Sequence, residues 1–145
     1  MSFLDRLSGV EDLKFNAQRA IMTIAIAATR ADGDASEQEI NRVKAMCVLS
    51  PVFCSNAAEE DLEAIRFAEN AVNQLGWDAV IQAARSLSPQ LRETSFAFAC
   101  DVVLADGIVG EGEREFLAEI AKILELDDEV ADSILQTSII RNRSG

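Results

Sequence analysis

The sequence predicts an all-α protein: a single compact bundle of about seven helices, formed as one domain over residues 1–145. Two observations support this prediction. Apolar residues recur at helical spacing in successive segments, and most of these segments begin or end at a capping residue, a proline or a glycine. No segment combines the alternating pattern and the turn signals that are typical of strands and hairpins.

The first three helices are marked by their ends. The segment 11–33 carries long apolar stretches and stops at a glycine, which suits the left-handed conformation at a helix terminus. Ser36 starts the second helix, in which apolar residues recur at helical spacing. Asn56, with Glu59 three residues later, opens the third helix, which ends at Gly76.

The four remaining helices follow from the same kinds of signal. The fourth is short, and the pair Ser88-Pro89 closes it and starts the fifth, because proline suits the first helical position. An amphipathic helix over 111–126 follows the fifth. Asp127 caps the last helix, and we expect the tail 141–145 to fray.

The two halves of the chain resemble each other at an offset of 74 residues. Under this shift the tripeptide Ala-Asp-Gly at 31–33 falls on 105–107. Each copy follows an almost wholly apolar helix, which belongs in the middle of a bundle, and precedes an amphipathic one. We therefore predict an internal repeat around 12–49 and 89–125, so that two related helical hairpins build the domain.

The chain is strongly acidic, with a formal net charge of −12 at pH 7. Nucleic acid binding requires grouped Lys and Arg, and here the basic residues are scattered, so we expect no nucleic acid partner. An acidic membrane surface would repel the chain, and the apolar run 20–28 is too short to span a bilayer, so we expect no direct membrane insertion. Divalent cations and basic proteins are the partners that this charge permits.

The cysteines and the N-terminus favour a cytoplasmic protein. There are three cysteines and no CxxC pair, which suits reduced thiols better than a disulfide framework. The first residues mix acidic and basic side chains, unlike the positively charged start of a signal peptide. Cys47 and Cys100 lie in apolar helical patterns and should be buried, which leaves Cys54 as the thiol to test for reactivity.

Two acidic turns are the candidate functional features, and helix capping explains much of them. Ser36 and Glu39 form the S-x-x-E pattern of a capping box, and Gly110 takes the cap position in the second copy. Acidic residues in a first helical turn also complement the positive end of the helix dipole. Capping alone therefore accounts for Glu37, Glu39, Glu111 and Glu113.

Asp32 and Asp106 are harder to explain by capping. Each follows a helix C-terminus, where the carbonyl groups disfavour a carboxylate. Two compensations remain open: the aspartate accepts hydrogen bonds from nearby amides, or it shares a cation with the glutamate seven residues later. The chain has no histidine, so oxygen ligands would favour Ca²⁺, Mg²⁺ or Mn²⁺. The sequence leaves open whether the turns form one joint site or two.

At these residues the sequence resembles the tellurite resistance protein TerB family and the broader TerB-like domains. The two A-D-G-x5-E turns, 31–39 and 105–113, carry the resemblance, together with the opening MSFLDRL. It implies an all-helical domain with duplicated hairpins, a divalent metal bound by acidic residues, and a role in cellular stress or tellurite resistance. The metal ligands it implies are Asp32, Glu39, Asp106 and Glu113, with Asp34, Glu37 and Glu111 in a second tier.

We therefore expect a non-enzymatic stress or tellurite resistance protein that binds divalent cations. The chain lacks histidine, a nucleophile motif and a glycine-rich phosphate loop, so no catalytic constellation is evident. Other proteins of a stress-resistance system are the expected partners, and the oligomeric state is not predicted. The alternative function is a metal-free interaction module that docks a basic partner on its acidic face.

Overall fold

The computed structural model describes residues 15–31, 37–106 and 110–143, with the backbone alone at 106. Within these ranges the chain forms seven α-helices, one 3₁₀ turn and no strand, which confirms the all-α prediction. The helices are α1 (Ala17–Thr29), α2 (Glu37–Leu49), α3 (Ala58–Leu75), α4 (Trp77–Arg85), α5 (Pro89–Val103), α6 (Glu111–Ile123) and α7 (Asp128–Arg141). The 3₁₀ turn, Leu104–Asp106, follows α5 directly.

α1 is the central helix of the bundle. Every residue from Ala20 to Thr29 is buried, and α1 contacts α2, α3, α4, α5 and α6. This environment explains its sequence, since a helix packed on all sides has to be apolar on all sides. α5 is the second hub, in contact with α1, α2, α6 and α7.

The first helix is shorter than its sequence predicts. Asn16 is the N-cap of α1, and its Oδ1 accepts a hydrogen bond from the backbone N–H of Arg19 at 2.8 Å. The prediction that the helix already includes residues 15 and 16 is therefore wrong. At the other end α1 stops at Thr29. The prediction that the helix continues to Gly33 is therefore wrong at residues 30 and 31, which form a turn. Gly33 itself and the predicted start at Ser36 lie outside the described residues.

The predicted start of α3 is wrong by one residue. Ala57 is the N-cap, and Glu60 Oε1 accepts a hydrogen bond from the Ala57 backbone N–H at 3.0 Å, as one half of a capping box. Asn56 does not cap because its side chain serves a tertiary contact. Its Nδ2 donates to Gln18 Oε1 at 2.9 Å, and Gln18 Nε2 donates back to Asn56 Oδ1 at 3.2 Å.

Three other predicted helix ends agree with the structure, whereas α6 ends at Ile123 and not at residue 126. Gly76 separates α3 from α4 with a φ of 55°, a value that favours glycine. Ser88 is the N-cap of α5, its Oγ accepts a hydrogen bond from the Leu91 N–H at 3.3 Å, and Pro89 is the first helical residue. Asp127 occupies the N-cap position of α7, but its side chain makes no capping hydrogen bond.

The structure describes the first three residues of the tail 141–145, which the sequence predicts to fray. α7 continues to Arg141, whose Nη2 lies 2.7 Å from both carboxylate oxygens of Asp101 in α5. Asn142 Nδ2 donates to the same carboxylate at 3.2 Å. The buried Ser138 hydroxyl also donates a hydrogen bond to this carboxylate. These contacts hold the end of α7 against α5. The last two residues lie outside the described ranges.

The helix pairs α1–α2 and α5–α6 have matching bounds. α2 and α6 start and end 74 residues apart, and so do the last residues of α1 and α5. The contacts match as well, because α1 contacts both α2 and α6, and α5 does the same. Each amphipathic helix therefore packs against both central helices. The single domain with its internal repeat stays a prediction.

A candidate cation site at the acidic turns

The acidic turns lie at the starts of α2 and α6, and the structure describes part of each. Glu39 is the third residue of α2, and Glu113 is the third residue of α6. The backbone of Asp106 ends the 3₁₀ turn. Asp32 and Asp34 lie outside the described residues, so their predicted role as ligands stays a prediction.

The glutamates of each turn differ sharply in burial. Glu39 is only 5% exposed and Glu113 only 3%, whereas Glu37 and Glu111 are exposed. Glutamate is almost never fully buried unless its carboxylate is paired. The two buried glutamates occupy the same position in two helices with matching bounds, so their burial belongs to the architecture of the bundle.

Helical phase explains which glutamate is buried. Glu39 precedes Val43 and Met46 by four and seven residues, so all three lie on one face of α2, and all three are buried. The same spacing in α6 places Glu113 in line with Leu117 and Ile120, which are also buried. This periodicity is visible in the sequence and could have separated the first-tier glutamates from the second tier on physical grounds.

Glu113 caps its own helix. Its Oε1 accepts a hydrogen bond from the Gly110 backbone N–H at 3.0 Å, which is the half of a capping box that glycine permits. The carboxylate also lies at the positive end of the α6 dipole, where negative charge is favoured. The capping interpretation therefore holds for one oxygen of Glu113.

The two acidic turns lie near each other's helices. α2, which carries Glu39, contacts the 3₁₀ turn Leu104–Asp106 that leads into the second acidic turn. Ala31, the residue before Asp32, lines a cavity of about 250 Å³ together with Phe116, which follows Glu113 by one helical turn. Each acidic turn is thus close to the amphipathic helix of the other pair.

No group of three or more His, Cys, Asp or Glu side chains that could hold a metal ion occurs among the described residues. This finding includes Glu39 and Glu113 with their described neighbours. It covers neither Asp32 nor Asp34, nor the side chain of Asp106. A complete ligand set would therefore need carboxylates from the turns themselves.

The thiols have the environments that their sequence positions predict. Cys47 and Cys100 are buried and Cys54 is exposed. Desolvation by burial, reinforced by the negative charge of Asp61, raises the pKa of Cys47 from 9.0 to about 11. Burial likewise raises the pKa of Cys100 to about 12, with a further contribution from Asp101 and an opposing one from Arg141. Both buried thiols are protonated at neutral pH and therefore poor nucleophiles.

A scan against protein-family models matches the family described as "Tellurite resistance protein TerB" over residues 18–136, most of the chain. The match includes both acidic turns and all the described helices, apart from the first residue of α1 and the last five residues of α7. Searches of the curated proteins and of the solved structures found no match. None of the helices in the described ranges is both long and apolar enough to cross a membrane.

Proposed function

Because the chain belongs to the tellurite resistance protein TerB family, we propose that it is a stress-resistance protein that binds a divalent cation at its acidic turns. One observation carries this proposal: Glu39 and Glu113 are almost fully buried at the same position of matching helices. Each follows an aspartate, Asp32 or Asp106, by seven residues. The proposal includes a cytoplasmic location and no catalytic step.

Burial of two carboxylates supports a cation site because removing a charge from water is costly. The penalty in a protein interior is roughly several kcal/mol for each ion. Helix N-terminal amides offset part of it. A divalent cation would offset more, since it is the largest local charge in such a site. Capping does not by itself exclude cation binding, because an ionised carboxylate offers about four acceptor positions.

The contact between α2 and the 3₁₀ turn favours one joint site over two separate ones. Glu39 belongs to the first acidic turn in sequence, and Asp106 to the second. Since the helix that carries Glu39 contacts the turn that ends at Asp106, we propose that ligands from both turns share one ion. Carboxylate and carbonyl oxygens would make Ca²⁺, Mg²⁺ or Mn²⁺ the preferred ions.

Calorimetric titration of chelator-treated protein tests the cation site. We expect saturable binding of Ca²⁺, Mg²⁺ or Mn²⁺ at one ion per chain, and weaker binding of Zn²⁺, which prefers nitrogen and sulfur ligands. Asp32→Asn and Asp106→Asn should each raise the Kd at least about tenfold. Glu69→Gln removes an exposed charge of α3 and is the matched control, with no expected change. No binding at millimolar ion would overturn the proposal.

A metal-free interaction module is the second candidate. The capping hydrogen bond of Glu113, and the absence of a metal cluster among the described side chains, favour it. In that case Asp32→Asn and Asp106→Asn would leave stability independent of added cations. The same substitutions would weaken binding of a basic partner, and this binding would fall as the salt concentration rises.

The cellular role that accompanies this proposal is resistance to tellurite or a related stress. A strain that lacks the gene should recover growth on tellurite when it expresses the intact protein. Expression of the Asp106→Asn variant at the same level should not restore growth, whereas Glu69→Gln should. If both variants restore growth equally, the cellular role does not depend on the cation site.

A further inference from the structure

A groove with a volume of about 730 Å³ runs between α2, the turn after it, and α5. Apolar side chains form most of its wall: Met46, Leu49, Val52, Ala97 and Phe98. The part of α5 that lines it, from Thr94 to Asp101, is about 10 Å long at the helical rise of 1.5 Å per residue. None of the described residues that line the groove belongs to the acidic turns.

Exposed apolar side chains extend this wall onto the surface. Val48 is 71% exposed and Leu49 is 79% exposed at the end of α2. Two neighbouring apolar residues with that much surface, next to an apolar groove, form the kind of patch that marks an interaction site in a soluble protein.

One end of the groove carries two guanidinium groups, of which one forms an ion pair with a described carboxylate and the other does not. Arg141 is paired with the carboxylate of Asp101. Arg42 is half-buried, and its Nη1 donates to the side-chain oxygen of Asn142. Among the side chains that the structure describes, no carboxylate forms an ion pair with Arg42, although the chain carries a net charge of −12. Arg42 is thus a cation available to a carboxylate from outside.

We propose that this groove binds a helical segment of a partner protein that has an apolar face and a carboxylate side chain at one end of that face. Helix residues at positions i and i+7 are about 10 Å apart, which matches the length of the groove along α5. The apolar face would cover Leu49 and Phe98. The carboxylate would form a charge-assisted hydrogen bond with Arg42. This inference does not depend on the proposed cation site.

A pair of synthetic peptides tests the proposal. Both are fluorescently labelled helices of about 16 residues, a length at which an isolated helix begins to be stable. Both carry leucines at positions i, i+4 and i+7; one has a glutamate at the end of the leucine face, and the other a lysine. Fluorescence anisotropy should give saturable binding of the glutamate peptide to the full chain, and a Kd at least about tenfold higher for the lysine peptide.

Substitutions in the protein locate the site. Arg42→Gln and Leu49→Ser should each raise the Kd of the glutamate peptide about tenfold. Lys44→Gln removes the same charge from an exposed position of α2 outside the groove and should leave the Kd unchanged. Leu49 is so exposed that its replacement should not impair folding, which thermal unfolding of each variant checks.

Three results would overturn the proposal. The first is no binding of the glutamate peptide up to about 1 mM. The second is equal binding of both peptides, or an equal effect of Lys44→Gln and Arg42→Gln. The third is self-association in sedimentation experiments that Leu49→Ser abolishes, since this would assign the groove to a second copy of the chain.

Discussion

Arg141, the last residue of α7, places its Nη2 atom 2.7 Å from both carboxylate oxygens of Asp101 in the last turn of α5. The same carboxylate accepts hydrogen bonds from Ser138 and Asn142. Asp101 interrupts an otherwise apolar run of α5, and its side chain is 14% exposed. Four donor contacts from one helix end therefore converge on one nearly buried carboxylate.

Asp101→Ala should destabilise the protein by about 2–3 kcal/mol, because it leaves the buried Ser138 hydroxyl and the Arg141 guanidinium without their acceptor. For a chain of this size the melting temperature should fall by roughly 4–12 °C. Arg141→Gln should cost less, about 0.2–1 kcal/mol, since the arginine side chain is 54% exposed. Denaturant unfolding of both variants measures the difference, and equal losses would contradict the central role of Asp101.

A bound cation should stabilise the folded chain. At a free ion concentration of about 100 times the Kd, the free energy of unfolding should rise by about 2.7 kcal/mol. Glu39→Gln should abolish most of this gain, because Glu39 is buried at the acidic turn. Glu37→Gln removes an exposed carboxylate two residues earlier in the same helix and should preserve the gain. Thermal unfolding with and without Ca²⁺ gives both values, and equal gains in the two variants would exclude Glu39 as a ligand.

Thiol reactivity should follow exposure. At pH 8 a disulfide reagent such as dithionitrobenzoate should modify Cys54 within minutes, whereas Cys47 and Cys100 should react only as the protein unfolds. Cys54→Ser should remove the fast phase and leave two slow thiols. A fast phase that persists in Cys54→Ser would mean that a buried thiol becomes accessible in the native state.

Stability should decline at alkaline pH because of the buried thiols. The folded-state pKa values of about 11 for Cys47 and about 12 for Cys100 lie above the ordinary value of 9.0. The unfolded chain therefore releases thiol protons first, and the stabilising contribution present below pH 9 is lost as pH rises through 9 towards 12. In Cys100→Ala the decline should be shallower than in the parent. Urea unfolding between pH 8 and about 10.5 compares the slopes.

Local signals in the sequence predict the order of the helices. Where the sequence misplaces a helix start, as at Asn56, a tertiary contact is the reason. Gly76 and Ser88 mark helix ends by backbone conformation and a three-residue hydrogen bond, both of which are local. Asn56 had the right residue type for a cap, yet its amide is used by Gln18, 38 residues away in the chain. The sequence around Asn56 contains no pattern that predicts this contact with Gln18.

The candidate site itself stays a prediction, based on the spacing of the acidic residues. The burial of Glu39 agrees with its helical phase relative to Val43. The proximity of α2 to the turn that ends at Asp106 depends on how the two helix pairs pack. Sequence spacing within either pair carries no information about that packing. The sequence around Asp101 does not predict its hydrogen-bond partners either, because they come from α7 and the residue that follows it.

The complete burial of α1 determines how this protein should exchange its amide hydrogens with solvent. The segment from Ala20 to Thr29 has no face that can open to water without separating α1 from the helices around it. Its amides should therefore exchange only through global unfolding, and their rates would report the stability of the whole domain. Binding of a cation or a partner helix anywhere on the folded chain should slow the exchange of α1, even though no α1 residue lines the groove.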